Sequence, residues 1–380
     1  MRILHLCNKV PFPGRDGSSI AMESLIRIEH NAGHNIHVIA LNTNKHFVSN
    51  PKPIDSSVIL ECFNVNLLPG PFTFIYHCLN NRSYFASRFY STEVASAIKK
   101  VSKNMDLIVV DSIYMSVYNK SWGDTPFIIR THNVEHQIWE RTLSSTKLSF
   151  KNIFIQWQTR KLKKWETNLI RGSRVWPITE ADSVSIKKLG AKSTEVFPCT
   201  FNHEKTWTFS GSASNKLYHL GALDWEPNII GMNWFVKSVI PKISDKIQIT
   251  VYSNIWPDSI EQHETINWNN SSTRDIPFQD YGIFIAPLLS GSGMRIKLLE
   301  AMSRGKAIVT TTIGAEGLLC KNKMHLYIAD TAEEFATAIS ELYNDSNYRY
   351  QMGTRAREHA VNNFSDELFI QKMKNIEAKT

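Results

Sequence analysis

The chain has 380 residues, 42% hydrophobic and 21% charged, a balance that belongs to a folded protein and excludes extended disorder away from the ends. That length exceeds one compact core of ordinary size and predicts two domains. A formal charge of +8 points to anionic partners and leaves nucleic acid, a membrane surface and phosphorylated metabolites open, although no recognised nucleic-acid module accompanies it.

From the N-terminus, MRILHLCNKVPFPG holds too short an apolar run for a signal peptide and reads as a buried strand over 2–7. Pro11, Pro13, Gly14 and Gly17 then interrupt the chain before a helix whose apolar positions Ala21, Leu25, Ile28 and Ala32 recur at three and four. Gly33 stops that helix and 36–41 makes the next strand, which completes a βαβ unit. The loop from Gly14 to Ser19 lies at a strand end and enters a helix, so Gly17, Ser18 and Ser19 are placed to offer backbone amides to a phosphate or an acceptor; one of the serines is expected as the N-cap. No G-x-G-x-x-G fingerprint occurs there, which argues against a nicotinamide-dependent dehydrogenase.

Further strands are expected at 107–110, 127–131 and 175–178, so the first half is a mostly parallel sheet. His132 follows the second of these in FIIRTHN, at the carboxyl end of the sheet, where open α/β folds bind ligands. A histidine there can donate to a ligand hydroxyl or take part in proton transfer; the plainer alternative is a structural hydrogen bonder. Residues 151–174 are the most basic region, with Lys151, Arg160, Lys161, Lys163, Lys164, Arg171 and Arg174 against Glu166 alone. Phe154, Trp157, Leu162, Trp165 and Leu169 are interleaved near helical spacing, which reads either as an amphipathic face for anionic lipid or as an ordinary helix covering the sheet with snorkelling lysines.

A second round of strands is expected at 218–221, 247–252, 282–286 and 307–311, with the two α/β domains meeting near 198–205 and a helical segment over 333–378. The five cysteines Cys7, Cys62, Cys78, Cys199 and Cys320 are scattered without a CxxC pair or a His cluster of metal-ligand spacing, and no stretch approaches the ~20 apolar residues that span a membrane. A reducing cytosol is the expected compartment.

The stretch over 286–317, APLLSGSGMRIKLLEAMSRGKAIVTTTIGAEG, carries the most chemistry. A buried strand leads into a Gly/Ser loop and a helix beginning near Met294, whose free amides and positive dipole end suit a phosphate. Lys297 and Glu300, three apart, share a helix face, while Met294, Leu298, Ala301 and Met302 form the stripe that packs on the sheet. A cation for a diphosphate thus stands beside a carboxylate able to accept ribose hydroxyls; the plainer alternative is a solvated surface ion pair.

This stretch resembles the donor-site segment of the retaining glycosyltransferases of family 4, whose GT-B fold has two facing Rossmann-like domains. Their Glu-x7-Glu signature has Glu300 at its second position, the ribose ligand, and Ser292 at its first, a departure at the donor-sugar contact. A branch of the family carries Gly-x-Gly-x-Arg-x-Lys-x-x-Glu-Ala-Met, matched by Gly291, Gly293, Arg295, Lys297, Glu300, Ala301 and Met302. HLGALDWEPNIIGMNWFVKSVIPKI resembles the opening of the donor domain, RTHNVEHQIWER the acceptor-domain segment with the catalytic-site histidine, and LKKWETNLIRGSRVWPITEADSVSIKKLGA the stretch leading to the linker, all in the family's order. Many members place an Arg and a Lys after the first donor-domain strand, but GALDWEPN has neither, so that charge falls to Arg295 and Lys297.

The resemblance implies an acceptor domain over 1–197, a donor domain over 198–362, and a terminal helix over 363–380 that crosses back onto the first. It implies transfer of a sugar from a nucleoside diphosphate sugar to a hydroxyl of a saccharide or lipid-linked acceptor, with retention and without a metal or other cofactor, in surface glycan assembly. His132, Arg295 and Lys297 would be catalytic. Gly17, Ser292, Gly293, Met294, Arg295, Lys297 and Glu300 would hold the nucleotide sugar, and Ser18, Asn133 and Glu135 the acceptor. The protein would be cytoplasmic, with peripheral contact at the inner membrane face. A catalytically silent sugar-nucleotide or glycan-binding protein, suggested by Ser292, and a sugar-nucleotide epimerase on the same fold are the alternatives.

Overall fold

The computed structural model describes residues 1–68, 75–76, 83–144, 150–270, 276–291 and 293–377. Ser292 and Cys78 lie outside the described residues, as does the side chain of Lys151. The chain forms two compact units, one of Met1–Thr200 with Phe369–Thr380 and one of Phe201–Leu368.

The first unit is built on seven parallel strands: β1 (Arg2–Cys7), β2 (Asn35–Thr43), β3 (Ile59–Val65), β4 (Leu107–Asp111), β5 (Phe127–Thr131), β6 (Arg174–Pro177) and β7 (Ser193–Thr194). Their order is β3-β2-β1-β4-β5-β6-β7. Central strands covered on both faces read as unbroken apolar runs, and the two-residue period then sorts side chains between two cores. Ile3, Val38, Ala40, Leu107 and Val109 share one with Met22, Leu25 and Ile28 of the helix Gly17–Asn31. Leu4, Leu6, Ile39, Ile108 and Val110 share the other with Val94 and Ile98 of the helix Thr92–Val101. The last helix, Asp366–Glu377, begins in the second unit, and its residues from Phe369 onward complete the first: Met373 is buried in the Ile3 core, with Phe369 and Ile370 against it.

The second unit has six parallel strands: β8 (Leu217–Leu220), β9 (Ile249–Tyr252), β10 (Ile266–Asn269), β11 (Ile283–Ala286), β12 (Ala307–Thr310) and β13 (Tyr327–Ile328), in the order β10-β9-β8-β11-β12-β13. Leu217, Ile249, Val251, Ile283, Ile285 and Val309 make a core with Phe235, Phe335 and Ile339. Lys306 enters β12 fully buried and donates from Nζ to the carbonyls of Gly211, Phe278 and Tyr281, each at 2.6 Å, tying two segments to the sheet. Burial pushes its ammonium down to about 7, yet three acceptors around one nitrogen match three N–H donors, which only the charged form has.

The expected strands fall where the apolar runs placed them, within one or two residues. β3, β7, β10 and β13 were not expected; β3 is an edge strand whose ILECFNV exposes Ile59 and Asn64, so it lacks the buried run that marks a central strand. The cap of the first helix also differs from expectation. Asp16, not a serine, accepts from Ser19 N at 3.0 Å, and Ser19 Oγ accepts from Asp16 N at 3.0 Å, a reciprocal capping box. Among the described residues no helix is long and apolar enough to cross a membrane.

Candidate functional site

In the first unit the chemistry-bearing residues collect at the carboxyl ends of β1, β4 and β5, which are neighbours in the sheet. Register sets Cys7 opposite Asp111 and Asp111 opposite Arg130. Asp111 and Arg130 are fully buried, with Asp111 Oδ2 3.6 Å from Arg130 Nη1 and 4.0 Å from His5 Nδ1. His5 Nε2 in turn pairs with Glu29 Oε2, also fully buried. Burial opposes charge on Asp111, but Arg130 and His132 win and hold its carboxyl below the usual range. An ionised carboxylate only accepts, so His132 Nε2–H donates to Asp111 Oδ1, at 2.7 Å.

The backbone turns sharply at this point. Ser112 has φ 92°, a region that residues with a Cβ avoid, and is held there by its amide, which donates to Arg130 O at 3.0 Å. Such strain costs on the order of 1–3 kcal/mol and collects at functional sites.

Asn133 and Glu135 follow directly. Glu135 opens the helix Glu135–Ser144, and Tyr114 Oη donates to its Oε2 at 2.9 Å. Burial raises the Glu135 carboxyl to about 7, and nearby Glu166 adds to the effect. Glu166 is fully buried and caps this helix, accepting from the amides of Glu135 and His136 at 3.0 Å each and from His136 Nδ1 at 2.6 Å. The one acid of the basic segment is therefore turned inward, and the helix Phe150–Ile170 exposes Arg160, Lys163 and Lys164 beside Ile153 and Trp157. Gly17 and Ser18 stand in the first turn after Asp16, whose carboxylate accepts from Ser18 Oγ at 3.0 Å and Lys9 Nζ at 2.9 Å. Burial would raise the Asp16 carboxyl, but Lys9 and the Ser19 amide outweigh it and hold it well below the usual range.

In the second unit β8 and β11 are neighbours, and their carboxyl ends carry GALDWEPN and the glycine loop. Gly291 (φ 114°) and Gly293 (φ 78°) both occupy the left-handed region, which explains the residue choice. A Cβ on Gly291 would lie 2.6 Å from Arg295 Nη2, because Arg295 folds back over the loop. Helix Ile296–Ser303 starts two residues later than expected, so Met294 and Arg295 belong to the turn before it. Among the described residues no side chain caps its first amides, and a helix N-terminus after a glycine loop is suited to an anion.

Lys297 is partly buried, and that pushes its ammonium down to about 8 against the opposing pull of Glu300 and Asp224. The ion pair of Glu300 is made not with Lys297, as in the plainer alternative, but with Arg304: Glu300 Oε1 accepts both Nε (3.2 Å) and Nη2 (2.9 Å) of Arg304, an i,i+4 bridge over the Phe278 ring. Arg304 orients the carboxylate and leaves Oε2 outside the fork. Burial raises the Glu300 carboxyl although Arg304 and Lys297 oppose it.

Sequence reasoning missed His219. It lies at the end of β8, donates from Nδ1 to Ile285 O at 2.9 Å, and is pushed down to about 4 by burial. It is therefore a neutral ring beside Lys297 at neutral pH. The signal was present in the quoted HLGALDWEPN, but only tertiary pairing assigns its tautomer. Asp111 and Arg304 were missed for the same reason.

Among the described residues two clusters bring three side chains of metal-ligating type within 4.8 Å of one another: His5, Cys7 and Asp111, and Cys320, His325 and His359. In the first, His5 Nε2 and Asp111 Oδ1 are already committed to Glu29 and His132. The second was not expected from sequence spacing. Its two imidazoles stack at 4.1 Å with planes 27° apart, so their in-plane lone pairs do not converge on one point. His359 Nε2 donates to Leu318 O at 2.8 Å, and His325 Nδ1 accepts from Lys321 N at 3.2 Å.

Comparison with known proteins bears on both units. Residues 214–345 match the family described as Glycosyl transferases group 1. An uncharacterised 44.6 kDa protein in the cps region of Klebsiella pneumoniae is 24% identical over 259 residues, 63% of this chain and 66% of that one, so the chain spans just under two thirds of that relative. Among solved structures, HepE of Anabaena in complex with UDP-glucose superposes with a TM-score of 0.67 at 12% identity, over 100% of both chains. Sucrose-phosphate synthase of Thermosynechococcus elongatus gives 0.70 at 13%, over 100% of this chain and 99% of that one. The pneumococcal O-GlcNAc transferase GtfA, in complex with UDP and GlcNAc, gives 0.63 at 11%, with the same coverage. These likenesses establish the fold, GT-B, as expected.

Proposed function

We propose that this chain, a GT-B protein whose second unit carries a group 1 glycosyl transferase domain, transfers a sugar from a nucleoside diphosphate sugar to a hydroxyl of a saccharide or lipid-linked acceptor with retention. The observation that carries the reading is the loop-and-helix arrangement inside the matched segment: Gly291 and Gly293 in the left-handed region, a helix start with no side-chain cap among the described residues, and Lys297 and Glu300 one turn further on. The helix amides, Arg295 and Lys297 stabilise the charge that develops on the departing diphosphate. Glu300, oriented by Arg304, accepts the ribose hydroxyls. No step in this scheme needs a metal.

UDP is the first base to test, since HepE and GtfA hold it in their complexes. On the first unit we assign His132 to the reacting sugar and Ser18, Asn133 and Glu135 to the acceptor. A role in surface polysaccharide assembly draws support from the cps-region relative. Peripheral attachment from the cytoplasmic side draws on the exposed Ile153, Trp157, Arg160, Lys163 and Lys164. Binding to anionic vesicles no better than to neutral ones removes that attachment.

The test is a thermal-shift panel of UDP, GDP, ADP, CDP and dTDP, in which a ligand at 100 times its Kd adds about 2.7 kcal/mol. Turnover of the matching nucleotide sugar follows, with the product's anomeric configuration read by NMR. Stabilisation by no nucleotide sinks the reading. Binding without turnover across acceptors favours the silent alternative, and sugar conversion without acceptor favours an epimerase.

A further inference from the structure

Asp111 lies in none of the motifs that carry the functional reading, yet among the described residues it is the one hydrogen-bond partner of the His132 ring. Its two oxygens do different things. Oδ1 takes the proton on His132 Nε2 at 2.7 Å, and Oδ2 faces Arg130 Nη1 at 3.6 Å and His5 Nδ1 at 4.0 Å. The ring's other nitrogen, Nδ1, meets no hydrogen-bond partner among the described residues, and the His132 side chain is 8% exposed. We propose that Asp111 is a positioning residue that fixes His132 in the Nε2–H tautomer, so that the lone pair at Nδ1 is the one left for a bound hydroxyl. This rests on the assignment of His132 to the reacting sugar.

Asp111 is itself over-determined. It ends a central strand with no exposure, Arg130 supplies the neighbouring positive charge and is anchored by its Nη1 donating to Ala21 O at 2.6 Å, and the strained Ser112 turn follows at once. A carboxylate so held cannot rotate to offer the ring anything but an acceptor. The neutral imidazole is thereby left one way to sit: proton inward, lone pair on the other nitrogen. Such a ring accepts a hydrogen bond from a hydroxyl at Nδ1 and donates none there, which of the two roles open to His132 favours proton transfer over donation.

Asp111→Asn tests this sharply. The guanidinium of Arg130 has only N–H donors, so the new amide must turn its oxygen toward Arg130 and its NH2 toward His132. Nε2 then becomes the acceptor and the proton moves to Nδ1. Nitrogen-15 NMR distinguishes the two ring nitrogens directly, with the His132 signals assigned by their loss in His132→Gln. The expected result is Nε2–H in the wild type, Nδ1–H in Asp111→Asn, and a turnover loss of roughly 10²-fold or more in the variant with the KM for nucleotide sugar changed less than threefold. The wild-type spectrum alone overturns the proposal if it shows Nδ1–H, whether or not the variant folds. An unchanged tautomer in a folded Asp111→Asn overturns it as well. A tautomer that switches while turnover stays at the wild-type level upholds the positioning and instead removes His132 from the reaction.

Discussion

The depressed ammonium of Lys297 makes nucleotide-sugar binding pH-dependent in a way that can be worked out beforehand. Burial pushes free Lys297 down to about 8, against 10.5 for an unperturbed lysine. A bound diphosphate favours the charged form and returns it toward the ordinary value. Between pH 7 and pH 9 the free enzyme therefore loses the proton that the complex retains, and affinity for UDP-glucose falls about tenfold, ~1.4 kcal/mol. UDP-glucose is the right probe because its diphosphate, esterified at both ends, has no proton of its own to lose in this window. Isothermal titration at pH 8.5 in buffers of different ionisation enthalpy should register an uptake of roughly three-quarters of a proton. Lys297→Met should abolish both the uptake and the slope and weaken binding at pH 7 by about 10- to 100-fold, the worth of a charge-assisted hydrogen bond. A flat affinity from pH 7 to 9 in the wild type refutes the reasoning. So does an uptake that survives in Lys297→Met, since the proton would then go elsewhere.

Three further outcomes are expected. Glu300→Gln should weaken UDP binding by about 1.5–3 kcal/mol through loss of a charged acceptor for ribose, with 2′,3′-dideoxy-UDP nearly indifferent to the change; equal losses for both ligands would place Glu300 elsewhere. Lys306→Met should remove the ammonium donor from three buried carbonyls, of which Phe278 O keeps the bond from Tyr281 N at 3.3 Å, and destabilise the second unit by about 2–4 kcal/mol in denaturant titration; an unchanged midpoint would show that the tie is dispensable. Glu135 is raised in the folded state to about 7, so its stabilising contribution is whole below the unfolded value near 4.5 and is lost as pH rises through about 7. Glu135→Gln should accordingly raise the melting temperature at pH 8.5 by about 1 kcal/mol equivalent, discounted for its partial exposure, and leave it unchanged at pH 4.

The positions of the central strands were largely legible because they are covered on both faces and spell themselves out as RILHLC, LIVVD and AIVT. Edge strands such as β10, INWN, carry no such run and were invisible. The glycine loop was legible too, since two residues at positive φ leave little choice but glycine. What sequence could not supply is pairing at long range. Glu300 was placed beside Lys297 by helical spacing, and the same spacing allowed Arg304, one position further round, to win it with two bonds to one oxygen. Asp111 and His132 are 21 residues apart and meet only because β4 and β5 are neighbours. The serines at 18 and 19 looked like caps, but Asp16 reaches the same amide while also pairing with Lys9.

The helix that starts in one unit and finishes in the other has a consequence for how the molecule is made. A ribosome delivers residues in order, so the whole of the second unit is synthesised before Phe369, Ile370 and Met373 exist to close the hydrophobic layer behind β1. Until then the first unit shows solvent an apolar face over Ile3, Met22 and Phe197, and that face is where a chaperone or an aggregating neighbour would find it. The second unit, contiguous in sequence from Phe201 to Leu368, faces no such wait. The half of the molecule made first is the half that is finished last.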